Sequence, residues 1–456
     1  MDLWIALLGI PLAVRLVGCF LLGAFAGSLA NWAVYRWAWN SRPVSPWSPV
    51  PAPMPPRRWT DRIPILGWWG LRRESDFWGP GFWIRPMVLE VLAGLGLAGL
   101  YWWEVHGSRF LPPALAGPAA PPELIHIQFL AHAVLCWLML VASMIDLDER
   151  LIPDTITVPG TLLGLLLAVG YPWAFPTVMD IELPAAGQMA GNVGGGIVGH
   201  LSPLQVTSPY WAGQWPSWLR PWPNPGGLVL ALGCWWLWCV GLMPRTWYTR
   251  HGICRALALA WARLWRHPAT YRILVLAAAG SLAILAVWFW AGQSAWIDQP
   301  DGNRPTGPAF RWVGLVSSLV GLAAAGLLVW LVRIIASNML RKEAMGFGDV
   351  TLLAMIGAFL GWQPCLIIFL VAPFFGLIFG LFRFLTRSER EIPYGPFLCL
   401  ATLLVVVHWQ SVWPRAQSYF LLGWWIPGIV AVCLALLAGM LLVIQTAKRL
   451  LGVRSR

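Results

Sequence analysis

The chain has 456 residues, of which 58% are hydrophobic and 11% charged, with a mean hydropathy of +0.66. Soluble domains carry roughly 25% charged residues, so a soluble fold is excluded and an all-α polytopic membrane protein is expected. The net charge of +12 comes from Arg residues gathered in loops between apolar runs, a positive-inside pattern and not a nucleic-acid footprint.

Apolar runs of about 17 to 25 residues mark membrane spans. The first lies at 5–34 and has no basic segment ahead of it, so a retained helix is expected and not a cleaved signal. Residues 36–85 follow as a loop holding Arg36, Arg42, Arg57, Arg58, Arg62, Arg72, Arg73 and Arg85. Its stretch 38–60, rich in Pro, Trp and Ser, reads as irregular with polyproline character. Spans are expected at 86–104, 126–145 and 155–173. Residues 174–225, rich in Gly and Pro and almost uncharged, read as an external loop or weakly ordered insert. Further spans are expected at 226–243, 272–292, 312–336, 350–361, 364–385, 396–411 and 420–446, giving ten or eleven transmembrane helices.

Loop charge orients them. The basic groups of 244–271, of Arg341 and Lys342, of Arg383, Arg387 and Arg390, and of Lys448, Arg449, Arg454 and Arg456 fall on the side of 36–85 only if 350–361 crosses. The N-terminus is then external and the C-terminus cytoplasmic. The chain divides into a first span (1–35), a cytoplasmic loop (36–85), helices carrying one aspartate (86–173), an insert with two spans (174–311), helices carrying a second aspartate (312–411), and a C-terminal helix with a basic tail (412–456).

The two aspartates are Asp146 and Asp349. Ionisable groups at membrane depth are costly and point to function. The orientation places both at the cytoplasmic face. Such a pair can run acid–base hydrolysis, one carboxylate taking a proton from water while the other, neutral, protonates the carbonyl oxygen or leaving amine. The pair titrates as a unit, so the sequence does not say which is the base. Gly346 and Gly348 let backbone come close to an extended substrate, and Pro153 stops the chain beyond Asp146. Asp154 reads as the N-cap of the next span. Glu90 either supports the site or pairs with Arg85, the pairing being preferred. Asp148 and Glu149 are loop groups that would attract a basic peptide. Taken alone, Asp349 also reads as a helix cap and Asp146 as an interfacial aspartate. A transporter or channel using both as ion or proton sites is the alternative from another class.

Several stretches together resemble the type IV prepilin peptidases, GxGD-type intramembrane aspartic proteases. They are Gly27–Asn31 with Tyr35-Arg36, Ile63–Trp68, Arg85-Pro86 with Glu90, Asp146–Asp154 (DxDxxxxPD), Gly346–Asp349 continuing to Gly361-Trp362, and Ile392–Leu398. The resemblance implies an aspartic endopeptidase with Asp146 and Asp349 as catalytic pair. It would remove the basic leader of prepilins or pseudopilins at the cytoplasmic face of a bacterial inner membrane. Membrane lipid would be a direct partner and pilus or type II secretion assembly an indirect one. No cofactor is implied for proteolysis, and methyl transfer from S-adenosylmethionine is left open. The family's cysteine pairs are missing from 36–85, so zinc is not expected and no residue is given to a metal. The Lys usual two positions after the second aspartate is Thr351, and the insert 174–311 lies outside the resemblance.

Overall fold

The computed structural model describes residues 2–50, 54, 56–112, 121–182, 198–209, 215–219, 223–243, 268–293, 307–340, 345–386 and 393–450. Over these the chain is an α-helical polytopic membrane protein. Eight helices are long and apolar enough to cross a bilayer, a bent pair makes a ninth if counted as one span, and two shorter apolar helices join them. Every expected span therefore has a helical counterpart. The basic segments 244–267, 341–342, 387–390 and 451–456 lie outside the described residues.

The first apolar run is two helices, α1 (Asp2–Gly9) and α2 (Leu12–Trp37), not the single span expected. Pro11 stands between them, with no amide to continue the ladder. The loop that follows contains short helices α3 (Leu66–Leu71) and α4 (Ser75–Trp78). Then come α5 (Ile84–Tyr101), extended by a π turn over Trp102–His106, α6 (Pro122–Glu149) and α7 (Asp154–Gly170). The insert departs from the expected irregular reading: β1 (Thr177–Glu182) pairs antiparallel with β2 (Val198–Pro203), Thr177 opposite Pro203. The remaining helices are α8 (Pro225–Leu242), α9 (Pro268–Gly292), α10 (Pro308–Leu340), α11 (Phe347–Leu360), α12 (Trp362–Thr386), α13 (Gly395–Val407), α14 (Trp409–Phe420) and α15 (Trp425–Leu450).

The run expected as a span at 396–411 ends early. Helices α13 and α14 meet at His408 with a bend of 96°. The cause is composition: α14 carries Gln410, Ser411, Arg415, Gln417 and Ser418 on one side, while Trp409, Trp413 and Phe420 are buried on the other. A helix of that kind lies along a surface and does not cross.

Helix α11 is the centre of the bundle. Every residue from Asp349 to Leu360 is buried, as expected of a helix apolar on all sides. It runs antiparallel to α10, and the two backbones touch: a Cβ on Gly321 would lie 2.2 Å from the Gly357 carbonyl oxygen, and one on Gly357 2.3 Å from that of Gly321. Small residues at helix contacts supply the close packing that holds helices together in lipid. The far end of α11 is capped by the insert. The Gln363 amide donates to the Gln205 carbonyl at 2.6 Å and to that of Ser208 at 3.1 Å, and the Trp362 indole to Val206 at 2.9 Å.

The 36–85 loop is ordered by buried charge. Arg57 and Glu74 form a two-pronged pair, Nε to Oε1 at 3.0 Å and Nη2 to Oε2 at 2.9 Å, with side chains 3% and 0% exposed. Arg57 also donates to the carbonyls of Pro43 and Ser45, and Trp78 donates to Glu74. Asp61 pairs with Arg73 and accepts from the Arg58 amide. Burial works against the charge on Asp61, but hydrogen bonds from Arg73 and Arg58 outweigh it and hold its carboxyl below the usual range.

Candidate active site

Asp146 sits in the last turn of α6. That helix is closed by Arg150 in the left-handed conformation (φ 57°), whose amide donates to the Asp146 carbonyl at 2.8 Å. The chain then runs through Ile152 and Pro153 into α7. Pro153 holds the N-cap position and Asp154 is the first helical residue. The expected Asp154 cap is therefore corrected: a residue already inside the helix points its side chain along the outer surface, and no side-chain cap bond forms.

Asp349 occupies the third position of α11, whose N-cap is Gly346. Its carboxyl reaches back to the Gly346 amide, half of a capping box. The cap reading of Asp349 is thus met in part by this contact. Both aspartates are buried, 4% and 6% exposed. They lie at the same end of the bundle, near enough for their charges to interact. Asp146 also interacts with the Gly395 amide at the start of α13. Its Oδ2 is buried and has no hydrogen-bond partner among the described residues. Tyr394 lies within electrostatic reach of Asp349.

The two glycines flanking Phe347 differ. A Cβ on Gly348 would lie 2.8 Å from Cβ of Ile152, whereas one on Gly346 meets nothing nearer than Asp349 Oδ2 at 3.8 Å. Gly348→Ala is expected to destabilise by about 1–3 kcal/mol through overpacking, and Gly346→Ala to be tolerated. Thermal unfolding of the two purified variants checks this, and equal shifts would contradict it. Gly395 is tighter than either: its Cβ would lie 2.4 Å from Asp146 Oδ2.

Glu90 does not pair with Arg85. It accepts from the Ile65 amide at 2.5 Å, the Trp68 indole at 2.7 Å and the Asn31 amide at 3.2 Å, which ties the loop to α2 and α5. Residues five apart on a helix face different ways, and Arg85 turns to Asp148 instead, at 2.6 Å. Glu149 accepts from the amides of Trp39 and Asn40 at 2.5 and 2.8 Å. Asp148 and Glu149 thus fasten the loop to the end of α6, beside Asp146. Thr351 spends its hydroxyl on the Gly348 carbonyl at 3.1 Å. Within 72–79, where a second cysteine pair would fall, the structure places Glu74, whose carboxylate is taken up by Arg57 and the Trp78 indole. Among the described residues no group of three or more His, Cys, Asp or Glu could hold a metal.

Three neighbours of the pair were not singled out from sequence roles: Ile152, Gly395 and Arg333. The Gly of Ile392–Leu398 was a visible signal for one. Ile152 lies at an unspecified position of the Asp146–Asp154 stretch, and for Arg333 the sequence offers no signal, since its contacts are made across the bundle.

The model of the type IV leader peptidase family matches residues 133–194 and 302–381, segments that carry Asp146 and Asp349. Among curated proteins the chain is similar to the prepilin leader peptidase/N-methyltransferase of Aeromonas salmonicida, 35% identical over 104 residues, 22% of this chain and 36% of that protein. It is similar to the protein of the same name from Legionella pneumophila, 30% over 159 residues, 31% and 53%, and from Pseudomonas aeruginosa, 34% over 123 residues, 24% and 42%. The matched stretches thus span between about a third and a half of these relatives' length. No solved structure matches the chain.

Proposed function

From the match to the type IV leader peptidase family, which bears out the resemblance read from the sequence, we propose that this chain is an aspartic endopeptidase. Its substrates are the basic leaders of prepilin-like or pseudopilin-like proteins, cut at the cytoplasmic face of the inner membrane. The observation that carries the reading is the convergence of Asp146 and Asp349. They come from segments some 200 residues apart and meet, both buried, at one end of the bundle.

The chemistry follows from two carboxyls that share one proton. The ionised one takes a proton from water as the water oxygen bonds to the scissile carbonyl carbon. The neutral one protonates the carbonyl oxygen; the other then passes the proton it took from water to the leaving amine as the C–N bond breaks, and the first recovers its proton from the gem-diol hydroxyl. The Oδ2 of Asp146, an acceptor without a protein partner among the described residues, suits the water. A Cβ on Gly346 would meet only Asp349 Oδ2 and the Gly348 amide nitrogen, at 3.8 and 3.9 Å, which suits the approach of an extended substrate strand. A transporter reading gains no support from the comparisons, and a site at the bundle end differs from the midplane sites of transporters.

Purified protein incubated with a prepilin bearing a basic leader tests this. Mass spectrometry is expected to show the leader removed in one cut, and an intact substrate would overturn the reading. The same spectrum shows whether the new N-terminus carries an added methyl group, and so whether S-adenosylmethionine is used.

A further inference from the structure

We propose that Arg333 is a positioning residue for Asp349: its buried guanidinium clamps the segment leading into the aspartate and supplies the positive charge that Thr351 lacks. Its part in cleavage rests on the peptidase reading above.

Arg333 lies in α10 and is 6% exposed. Arginine is almost never so deeply buried unless it is paired, and inside a membrane bundle it marks a function by default. Its Nε donates to the carbonyl of Met345 at 2.8 Å. Its guanidinium carbon lies 5.7 Å from the centre of the Phe347 ring. These two partners flank Gly346, the N-cap of α11, so one side chain grips the turn on both sides of the cap that Asp349 closes. The Asp349 carboxylate is within electrostatic reach of the guanidinium, as are Asp146 and Tyr394 of Asp349.

The hydrogen bond and the charge can be separated. Holding the Met345 carbonyl needs only a donor. What arginine adds is a fixed cation beside a carboxylate that must carry charge during the reaction, which a dry site makes effective. The antiparallel packing of α10 on α11 delivers it: Gly326 lies against Val350 and Ala354, so two turns further along α10 the chain reaches the start of α11. Thr351 cannot substitute, because its hydroxyl faces its own helix.

The test uses the full-length purified protein and four forms: wild type, Arg333→Gln, Arg333→Lys, and Arg333→Gln combined with Thr351→Lys. Two quantities are read. One is kcat and KM for prepilin cleavage. The other, independent of activity, is labelling of Asp349 by a carbodiimide, which attacks the neutral carboxyl, located by peptide mass spectrometry. Arg333→Gln is expected to lower kcat about tenfold or more with KM within about twofold, and to raise labelling several-fold, since loss of a nearby cation favours the neutral acid. Arg333→Lys and the Thr351→Lys combination are expected to recover most of both. Should Arg333→Gln not fold, Arg333→Met is read the same way. Wild-type kcat and labelling in Arg333→Gln would overturn the proposal. So would an equal fall in kcat for Gln and Lys with labelling unchanged, which marks a purely structural side chain. If the wild type itself leaves prepilin intact, the peptidase reading fails, and the labelling ratio alone decides Arg333.

Discussion

Asn in place of Asp146, or of Asp349, is expected to abolish cleavage of a prepilin substrate while leaving the protein folded. The side chains are nearly isosteric, so the packing of Asp146 against Gly395 and of Asp349 against Gly346 is retained. What is lost is the exchangeable proton. General acid–base help contributes about 10²–10⁴-fold, and a pair that shares one proton works as a unit. Each single variant should therefore fall as far as the double variant, with no additivity. Rates of leader removal by the three variants, measured by mass spectrometry, check this. Full processing by either single variant would sink the two-aspartate mechanism. Independent, multiplicative losses would mean that the two groups act separately.

The second large effect is on the loop that covers this end of the bundle. Glu74→Ala leaves the Arg57 guanidinium buried without its carboxylate, and breaking a buried pair by removing one partner costs about 3–5 kcal/mol. The pair joins three stretches of the loop, 43–45, Arg57 and 74–78, so the expected result is unfolding of the loop and not local adjustment. Limited proteolysis should then cut within 40–80 in Glu74→Ala and spare the wild type. Removing both partners, Arg57→Met with Glu74→Leu, should restore much of the resistance, because the desolvation cost disappears with the charges. Equal protease resistance of wild type and Glu74→Ala would show that tryptophan packing, not the ion pair, orders the loop. The effect reaches the aspartates through Glu149, which holds Trp39 and Asn40, and through Asp148, which holds Arg85.

The aspartate pair was legible because acids are scarce in this chain and because loop arginines give parity to the spans. Both signals are local or additive. The bundle was legible for the same reason: a run of apolar residues is its own evidence. What escaped depends on contacts between distant segments. Glu90 was paired with its sequence neighbour Arg85, when its partners are Asn31, Ile65 and Trp68. Arg57 and Glu74 looked like two unrelated loop charges, since irregular chain has no period to say which side chains meet. The bend at His408 was hidden because apolar content continues past it through Trp409 and Trp413, and only the polar side of α14 betrays the turn. The hairpin of β1 and β2 lay in a segment whose glycines and prolines argue for irregularity.

The length of α11 sets a vertical budget. Fourteen residues at 1.5 Å each make a rod of about 21 Å, while the hydrocarbon slab is about 30 Å thick. Some 9 Å of depth is therefore not covered by the helix itself. At the far end the shortfall is met by protein: residues 205–208 of the insert sit on Trp362 and Gln363 like a stopper. That stopper lies at the end of the rod away from Asp349, so protein and not lipid adjoins the helix there.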